Sequence, residues 1–296
     1  MNKHNNQISD ASQASGTQPS LPGFTARFLA MGALVVAGAA QAALINPQEA
    51  MGNFGTVNQA NVFGPGIGAN GGNSCAPTAT MNSFTFLQNT YPAVYGNMLM
   101  GGNATWTAAA IQLALGMGTT SAAGTSLNGW VNGKVNYINA NAPGTTVFAG
   151  MSSAGVVAGQ PWLAAGAPTP AFLNQQLSAG EDIEIGIQPI GGGVGHVLTL
   201  TGMSWNNIAG GMVYGGTDTL TLNSIDPANP GVNTALTFTA GTLTINGGAY
   251  NNYQLTVALA ESPVPETSTT IAGGLALGLV FLVVLRKNQS ATNPTA

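Results

Sequence analysis

Between residues 44 and 262, the body of the chain, cysteine and histidine each occur once. These two residue types can act together in nucleophilic catalysis. Cys75 is the single cysteine of the 296-residue sequence, and His196 is one of two histidines, the other being His4 near the amino terminus. A cysteine nucleophile needs a base to take its proton and a third group to orient that base. Asp226 is the first candidate for the third group, and Asn223 is the alternative. This set predicts acyl transfer at an amide bond through a thioester.

The segment that begins at Cys75 has the spacing of a helix. Apolar residues recur every three or four positions, at Met81, Phe84, Leu87 and Tyr91. Pro77 suits a first helical turn, and Asn73 or Ser74 is expected to cap it. The N–H groups and the dipole at a helix start stabilise a thiolate, which favours a reactive cysteine over an inert buried one.

His196 is expected at the start of a strand. A glycine run over 191–195 leads into the segment 196–202, and Ile183, Ile185 and Ile187 alternate as in a half-buried strand. Further helices are predicted over 105–115, 130–138 and 170–177, and further strands over 211–215, 218–225, 234–240, 241–246 and 252–259. Helices first and antiparallel strands second predict an α+β fold.

In order and spacing, these segments resemble a papain-like cysteine peptidase of the C39 type. The segments that carry the resemblance are 73–78, 124–138, 173–187, 195–202 and 225–227. The resemblance implies a papain-like domain over 71–262 and a triad of Cys75, His196 and Asp226. The family usually has an oxyanion-binding glutamine about six residues before the cysteine, where this chain has Ala69. Asn70 is then the nearest side-chain donor, beside the backbone N–H of Cys75.

Composition excludes several other classes of protein. Only 5% of the residues are charged, with five Lys and Arg in total, which argues against nucleic-acid binding and against a disordered polyelectrolyte. One cysteine excludes an internal disulfide, and one cysteine with two histidines excludes a Cys/His zinc finger, so we expect no cofactor or metal. The acidic group Glu181, Asp182 and Glu184 is interpreted as a solvated strand edge rather than a cation site.

Residues 1–43 have the order of a secretory signal peptide. A polar stretch over 1–26 is followed by Arg27, an apolar run over 28–40, and a small-residue cleavage site that includes Ala42. Signal peptidase would cut after Ala42 or the next residue. The following segment, 44–70, is predicted to be a linker or an N-terminal extension.

Residues 263–296 have the order of a sorting signal. Pro265 and Glu266 precede an uncharged segment over 268–285, about 27 Å long as a helix, and two cations at 286–287. A plain membrane anchor is one interpretation. The order also resembles a PEP-CTERM signal, found in Gram-negative bacteria that usually make exopolysaccharide. That resemblance implies that an exosortase cleaves the chain near Pro265 and Glu266. The body of the protein would then be delivered to the cell surface or matrix. Its contact with the membrane would be only through the removable helix.

Two functions follow from the sequence. The first is an exported, surface-destined cysteine peptidase that acts on peptide or protein substrates. The alternative is a papain-like module of weak or no activity that serves as a biofilm matrix component or binds exopolysaccharide, which low charge and abundant Gly, Asn and Thr would fit.

Overall fold

The computed structural model describes residues 43–69 and 71–264, and within them the chain forms five α-helices and eight β-strands. The helices are α1 (Cys75–Thr90), α2 (Pro92–Tyr95), α3 (Trp106–Gly116), α4 (Leu127–Asn141) and α5 (Pro170–Ser178). The strands are β1 (Ala43–Ile45), β2 (Thr146–Ser152), β3 (Leu163–Ala165), β4 (Asp182–Pro189), β5 (His196–Asn207), β6 (Thr219–Ile225), β7 (Asn233–Thr237) and β8 (Tyr253–Pro263). The predicted α+β class is confirmed.

The strands form one mixed sheet in the order β3-β2-β8-β4-β5-β6-β7, with β1 paired to the end of β5. Every neighbouring pair is antiparallel except β2 and β3, which are parallel. The prediction of a purely antiparallel sheet is therefore wrong at one edge. There the connection 153–162 brings the chain back beside Gly150, so that β3 runs in the same direction as the last three residues of β2.

Two predicted strands are absent from the described residues. Residues 211–215 lie in a loop that is held by the buried Asp218 carboxylate. This carboxylate accepts hydrogen bonds from the N–H groups of Ala209 and Gly215 at 2.8 and 3.0 Å. Residues 241–246 make only isolated bridges to Phe238 and to Gln254. Short apolar–polar alternation predicted strands at both places. In the structure, local hydrogen bonds hold both segments in loops.

The sheet has a hydrophobic core on each face. Helices α1, α3 and α4 contribute to one core, and α5 contributes to the other. The alternating isoleucines of β4 belong to the α5 core, as the sequence predicted for a strand with one face inward. Thr199 on β5 donates a hydrogen bond to the Ala79 carbonyl of α1 at 2.8 Å. This contact ties the helix that begins at Cys75 to the strand that begins at His196.

The segment before α1 is packed against the folded body. Val57, Val62 and Ile67 are buried in the core that contains α1. The Asn82 side chain accepts a hydrogen bond from the N–H of Val57 at 2.8 Å. A Cβ on Gly71 would overlap the Gln59 carbonyl oxygen, so the approach to α1 requires glycine there. Residues 43–69 thus contribute a strand and core contacts rather than a bare linker.

No helix among the described residues is both long and apolar enough to span a bilayer. The predicted signal peptide and the predicted sorting helix over 268–285 lie outside the described residues, as do Ala42, Pro265 and Glu266.

A buried charge cluster joins α4 to the centre of the sheet. Lys134 contacts the carboxylates of Glu184 and Glu261, and all three side chains are fully buried. Asp182 lies opposite Glu261 in the sheet and is equally buried, and the three acidic side chains lie within 4.8 Å of one another. The interpretation of Asp182 and Glu184 as a solvated edge is therefore wrong, because β4 lies between β8 and β5.

Three carboxyl groups facing one ammonium group cannot all ionise without leaving net negative charge in the core. Burial and the neighbouring carboxylates raise the pKa of Asp182, and burial and Glu184 raise the pKa of Glu261 to about 8. Burial alone would lower the pKa of Lys134, but the adjacent carboxylates raise it, so the ammonium group supplies the positive charge of the cluster. The fold therefore carries bound protons at neutral pH.

Replacing Glu261 with Gln should reduce the pH dependence of folding stability. Between the ordinary glutamate pKa of 4.5 and about 8, the folded protein keeps a proton that the unfolded chain has lost. Wild-type stability should therefore fall as pH rises through this window, by up to about 1.4 kcal/mol per pH unit for each such proton. Denaturant unfolding of wild type and Glu261→Gln from pH 5 to 8 measures the two slopes.

Glu49→Gln is the control outside the cluster, because Glu49 is partly exposed. Burial raises the pKa of Glu49, but no neighbouring carboxylate adds to the rise, so we expect its slope to change less than that of Glu261→Gln. Equal slopes for wild type and Glu261→Gln would show that the cluster does not hold this proton.

Candidate active site

Cys75 is the first residue of α1 and is partly exposed. Ser74 holds the N-cap position, but its hydroxyl donates to the Val62 carbonyl at 2.7 Å, and the Asn73 amide donates to the Ser121 carbonyl. Neither side chain caps the helix, contrary to the sequence prediction. Both are used to tie α1 to neighbouring loops, so the N–H groups at the helix start stay available on the side of Cys75.

His196 is placed by the glycine run that precedes β5. Gly191, Gly192 and Gly193 all have positive φ, which lets the chain turn tightly out of β4. A Cβ on Gly195 would lie 2.8 Å from the Ile187 carbonyl oxygen, so only glycine permits the close approach of the two strands next to His196. The predicted position of His196 at a strand start is confirmed.

Asp226 follows β6 and pairs directly with His196. Its Oδ1 lies 2.9 Å from His196 Nε2 and accepts a second hydrogen bond from the Ala228 N–H at 2.8 Å. Because Nε2 is engaged by Asp226, Nδ1 is the ring nitrogen left for a nucleophile. Cys75 lines the same cleft as His196, and its thiol is close enough to raise the pKa of the imidazole. Cys75, His196 and Asp226, separated by up to 151 positions in sequence, meet at one site.

The alternative orienting residue has other partners. The Asn223 amide donates to Gln48 Oε1 at 3.2 Å, and its oxygen accepts from the Asn233 amide at 3.3 Å. Asn223 is thereby held between the N-terminal segment and β7, and Asp226 takes the position beside His196. The tentative oxyanion residue Asn70 lies outside the described residues, and Ala69 is exposed.

Sequence reasoning missed Tyr250, which contacts two members of the triad. Its ring stacks on the His196 imidazole with centroids 5.3 Å apart and planes 19° from parallel. Its hydroxyl donates to Asp226 Oδ2 at 2.5 Å. Tyr250 lies in a short 3-10 helix over residues 248–250 between β7 and β8, within a glycine- and asparagine-rich stretch that carries no periodic signal. Only the fold brings it to the site.

The contacts of the site determine which groups carry charge. Burial would lower the pKa of His196, but the hydrogen bonds and negative charges of Asp226 and Cys75 raise it to about 9. Burial would raise the pKa of Asp226, but hydrogen bonds from His196, Tyr250 and Ala228 hold it below its usual value. Burial and the nearby Asp226 raise the pKa of Tyr250. At neutral pH the site therefore holds an imidazolium, a carboxylate and a protonated tyrosine.

A cleft of about 560 Å³ opens beside Cys75 and His196. Leu127, Trp130 and Val257 form an apolar wall, and Gly186 faces Trp130 and Val257, where a Cβ would lie 3.3 and 3.2 Å from their side chains. Among the described residues lining the cleft, none is Asp, Glu, Lys or Arg. The cleft is thus shaped for an uncharged ligand segment beside the thiol.

Comparisons with known proteins do not attach a family to this geometry. No protein-family model matches the chain, and no curated protein is significantly similar to it. The chemistry of the site therefore has to be inferred from the contacts of its own side chains.

Replacing Asp226 with Asn should lower the pKa of His196 from about 9 toward the ordinary 6.5. The amide keeps the shape of the carboxylate but removes the negative charge that stabilises the imidazolium. We expect a fall of more than about one unit, since close charge partners shift a pKa by 1–3 units. NMR titration of the histidine ring resonances measures it. Asn223→Ala is the control and should leave the value unchanged, and an unchanged value in Asp226→Asn would contradict the assignment of Asp226.

Proposed function

We propose that the protein is an exported cysteine peptidase with a papain-like catalytic arrangement. The observation that carries the proposal is the meeting of Cys75, His196 and Asp226 beside an open cleft. Two further features support it: the cysteine begins a helix that packs on the sheet, and the histidine and the acid lie at the ends of adjacent strands of that sheet. A helix start that stabilises a thiolate and a strand end that carries the base are what this chemistry requires.

In the proposed reaction, His196 already holds the proton of the Cys75 thiol on Nδ1, so the reaction starts from a thiolate beside an imidazolium. The thiolate attacks the carbonyl carbon of a peptide bond, and the imidazolium returns the proton to the leaving nitrogen as the C–N bond breaks. The products of this step are a free amine and a thioester on Cys75. His196 then takes a proton from water, the hydroxide attacks the thioester, and the C–S bond breaks to release the acid. Asp226 holds the imidazole in the required tautomer throughout.

The oxyanion would be stabilised at the start of α1. The backbone N–H of Cys75 is one donor, in a helix turn that neither Ser74 nor Asn73 caps. The side-chain donor remains a proposal from sequence alone, with Asn70 as its candidate. Substrate would lie along the cleft as an uncharged segment, because the described lining has apolar walls and no Asp, Glu, Lys or Arg, and the charge of His196 is paired with Asp226.

Alkylation of Cys75 by iodoacetamide tests the activated thiol. At pH 6.5 an unpartnered thiol of ordinary pKa is only about 1% ionised, whereas an ion-paired thiolate is almost fully ionised but intrinsically less nucleophilic. We therefore expect labelling about tenfold faster in the full-length wild type than in His196→Ala. Cys75→Ser establishes the background, and hydrolysis of a fluorescein-labelled casein by wild type but not by Cys75→Ser would extend the result to peptide bonds.

Equal, slow labelling of wild type and His196→Ala would overturn the peptidase proposal. The matrix or exopolysaccharide-binding role would then be the better account. In that case a strain carrying Cys75→Ser should form normal biofilm, whereas deletion of the whole gene should not.

We also propose that the chain is processed at both ends, by signal peptidase and by an exosortase. Support comes from the sequence alone at the ends, together with the position of β1. Cleavage after Ala42 would leave all of β1, which pairs with β5, in the mature protein.

Mass spectrometry of the mature protein recovered from the producing cells should show loss of residues 1–42 or 1–43. It should also show loss of the region after Pro265 and Glu266. A recovered protein that keeps the segment 268–285 would argue for a plain anchor instead.

A further inference from the structure

Tyr250 contacts both the orienting acid and the base of the site. Its hydroxyl reaches Asp226 Oδ2, the carboxylate oxygen that does not face His196. Its ring covers one face of the imidazole. The two contacts use different parts of one residue on two different partners, and packing alone would not require the hydroxyl contact.

The hydrogen bonds of Asp226 show what the hydroxyl contributes. Oδ1 accepts from both His196 Nε2 and the Ala228 N–H, so one oxygen carries two bonds. Oδ2 accepts from Tyr250. A carboxylate held at one oxygen can still swing about its Cβ–Cγ bond, whereas one held at both oxygens has its plane fixed. The Tyr250 hydroxyl therefore sets the plane in which Asp226 meets His196.

The ring contributes shielding and orientation. His196 and Asp226 are only 14% and 11% exposed, and the stacked ring covers one face of the imidazole. A hydrogen bond between charged groups strengthens when water is kept away. The stacked ring also restricts rotation of the imidazole, which keeps Nε2 on Asp226 and leaves Nδ1 as the other ring nitrogen.

The turn that carries Tyr250 is itself anchored. The Gly247 N–H donates to the Asn251 side chain at 2.8 Å, and the Asn252 carbonyl accepts from the Ile190 N–H at 2.9 Å, at the end of β4. The Tyr253 ring meets the Tyr250 ring edge-on with centroids 5.5 Å apart. These contacts hold the tyrosine in place before any substrate binds.

We propose that Tyr250 is a positioning residue of the triad, which fixes Asp226 through its hydroxyl and the imidazole plane of His196 through its ring. The proposal rests on the proposed peptidase function. Tyr250 takes no proton and forms no covalent bond in the reaction. It acts through Asp226 and His196, so its loss should change the charge state and reactivity of the pair more than the stability of the fold.

Two substitutions separate the hydroxyl from the ring. Tyr250→Phe keeps the ring and removes only the hydroxyl, and Tyr250→Leu removes both. Tyr214→Phe is the matched control, because it removes a tyrosine hydroxyl that donates to the Thr242 carbonyl in another loop. For each full-length variant, the rate of Cys75 alkylation from pH 5 to 9, the pKa of His196 by NMR and the melting temperature are measured.

We expect Tyr250→Phe to lower the pKa of His196 by at least about half a unit, a threefold change in the protonation equilibrium, because Asp226 is free to turn away. The pH at which the alkylation rate changes as the imidazolium loses its proton should fall by the same amount, and Tyr250→Leu should have a larger effect on both. Tyr214→Phe should match wild type in both readouts. Both Tyr250→Phe and Tyr214→Phe should stay folded at the assay temperature, since each loses a single hydrogen bond.

A wild-type pKa and alkylation profile in Tyr250→Phe would overturn the positioning role. A fall in melting temperature with both profiles unchanged would likewise show a merely structural tyrosine. Failure of the peptidase proposal gives a different result, since wild type would then label no faster than His196→Ala. In that case the NMR pKa of His196 in Tyr250→Phe still decides whether Tyr250 positions the pair.

Discussion

The burial of α1 constrains the rest of the structure. Thirteen of its sixteen residues are buried, so its polar side chains and backbone groups need partners inside the protein. Asn82 pairs with the backbone of Val57, and Thr80 accepts from the Trp130 indole at 3.1 Å. The Ala79 carbonyl accepts from Thr199. Each of these bonds joins α1 to a different element, and together they fix the helix start that presents Cys75.

Two groups of buried ionisable side chains have different consequences for the protein. The cluster around Lys134 lies between α4 and the sheet centre, where an unpaired charge would be costly, and it keeps its charge low by retaining protons. The site at His196 and Asp226 borders a cleft and instead keeps its two groups ionised as a pair. The Lys134 cluster therefore joins α4 to the sheet with little net charge, whereas the His196–Asp226 pair is charged and borders the cleft.

The sequence predicted those parts of the site that local patterns specify. The helical spacing after Cys75 located α1, and the glycine run before His196 located the start of β5. It did not predict that Asp182 and Glu184 would be buried. Alternation gives the two faces of a strand but not its place in the sheet, and β4 proved to be central. The strand predicted over 211–215 failed for a related reason, since the Asp218 carboxylate organises that loop through non-periodic hydrogen bonds.

Tyr250 shows why the remaining part of the site was beyond local patterns. Asp226 and Tyr250 meet because β6 and β7 form a hairpin, and the chain then turns back through the 248–250 helix to enter β8 beside β4. That path depends on the position of β8 between β2 and β4. The pairing of strands across the whole sheet determines this position, and the residues near Tyr250 do not. The nucleophile and base lie at the ends of elements that their own neighbours specify. Tyr250 instead reaches His196 and Asp226 through the path of the chain across the whole sheet, and its importance rests on two contacts that exist only in the folded chain.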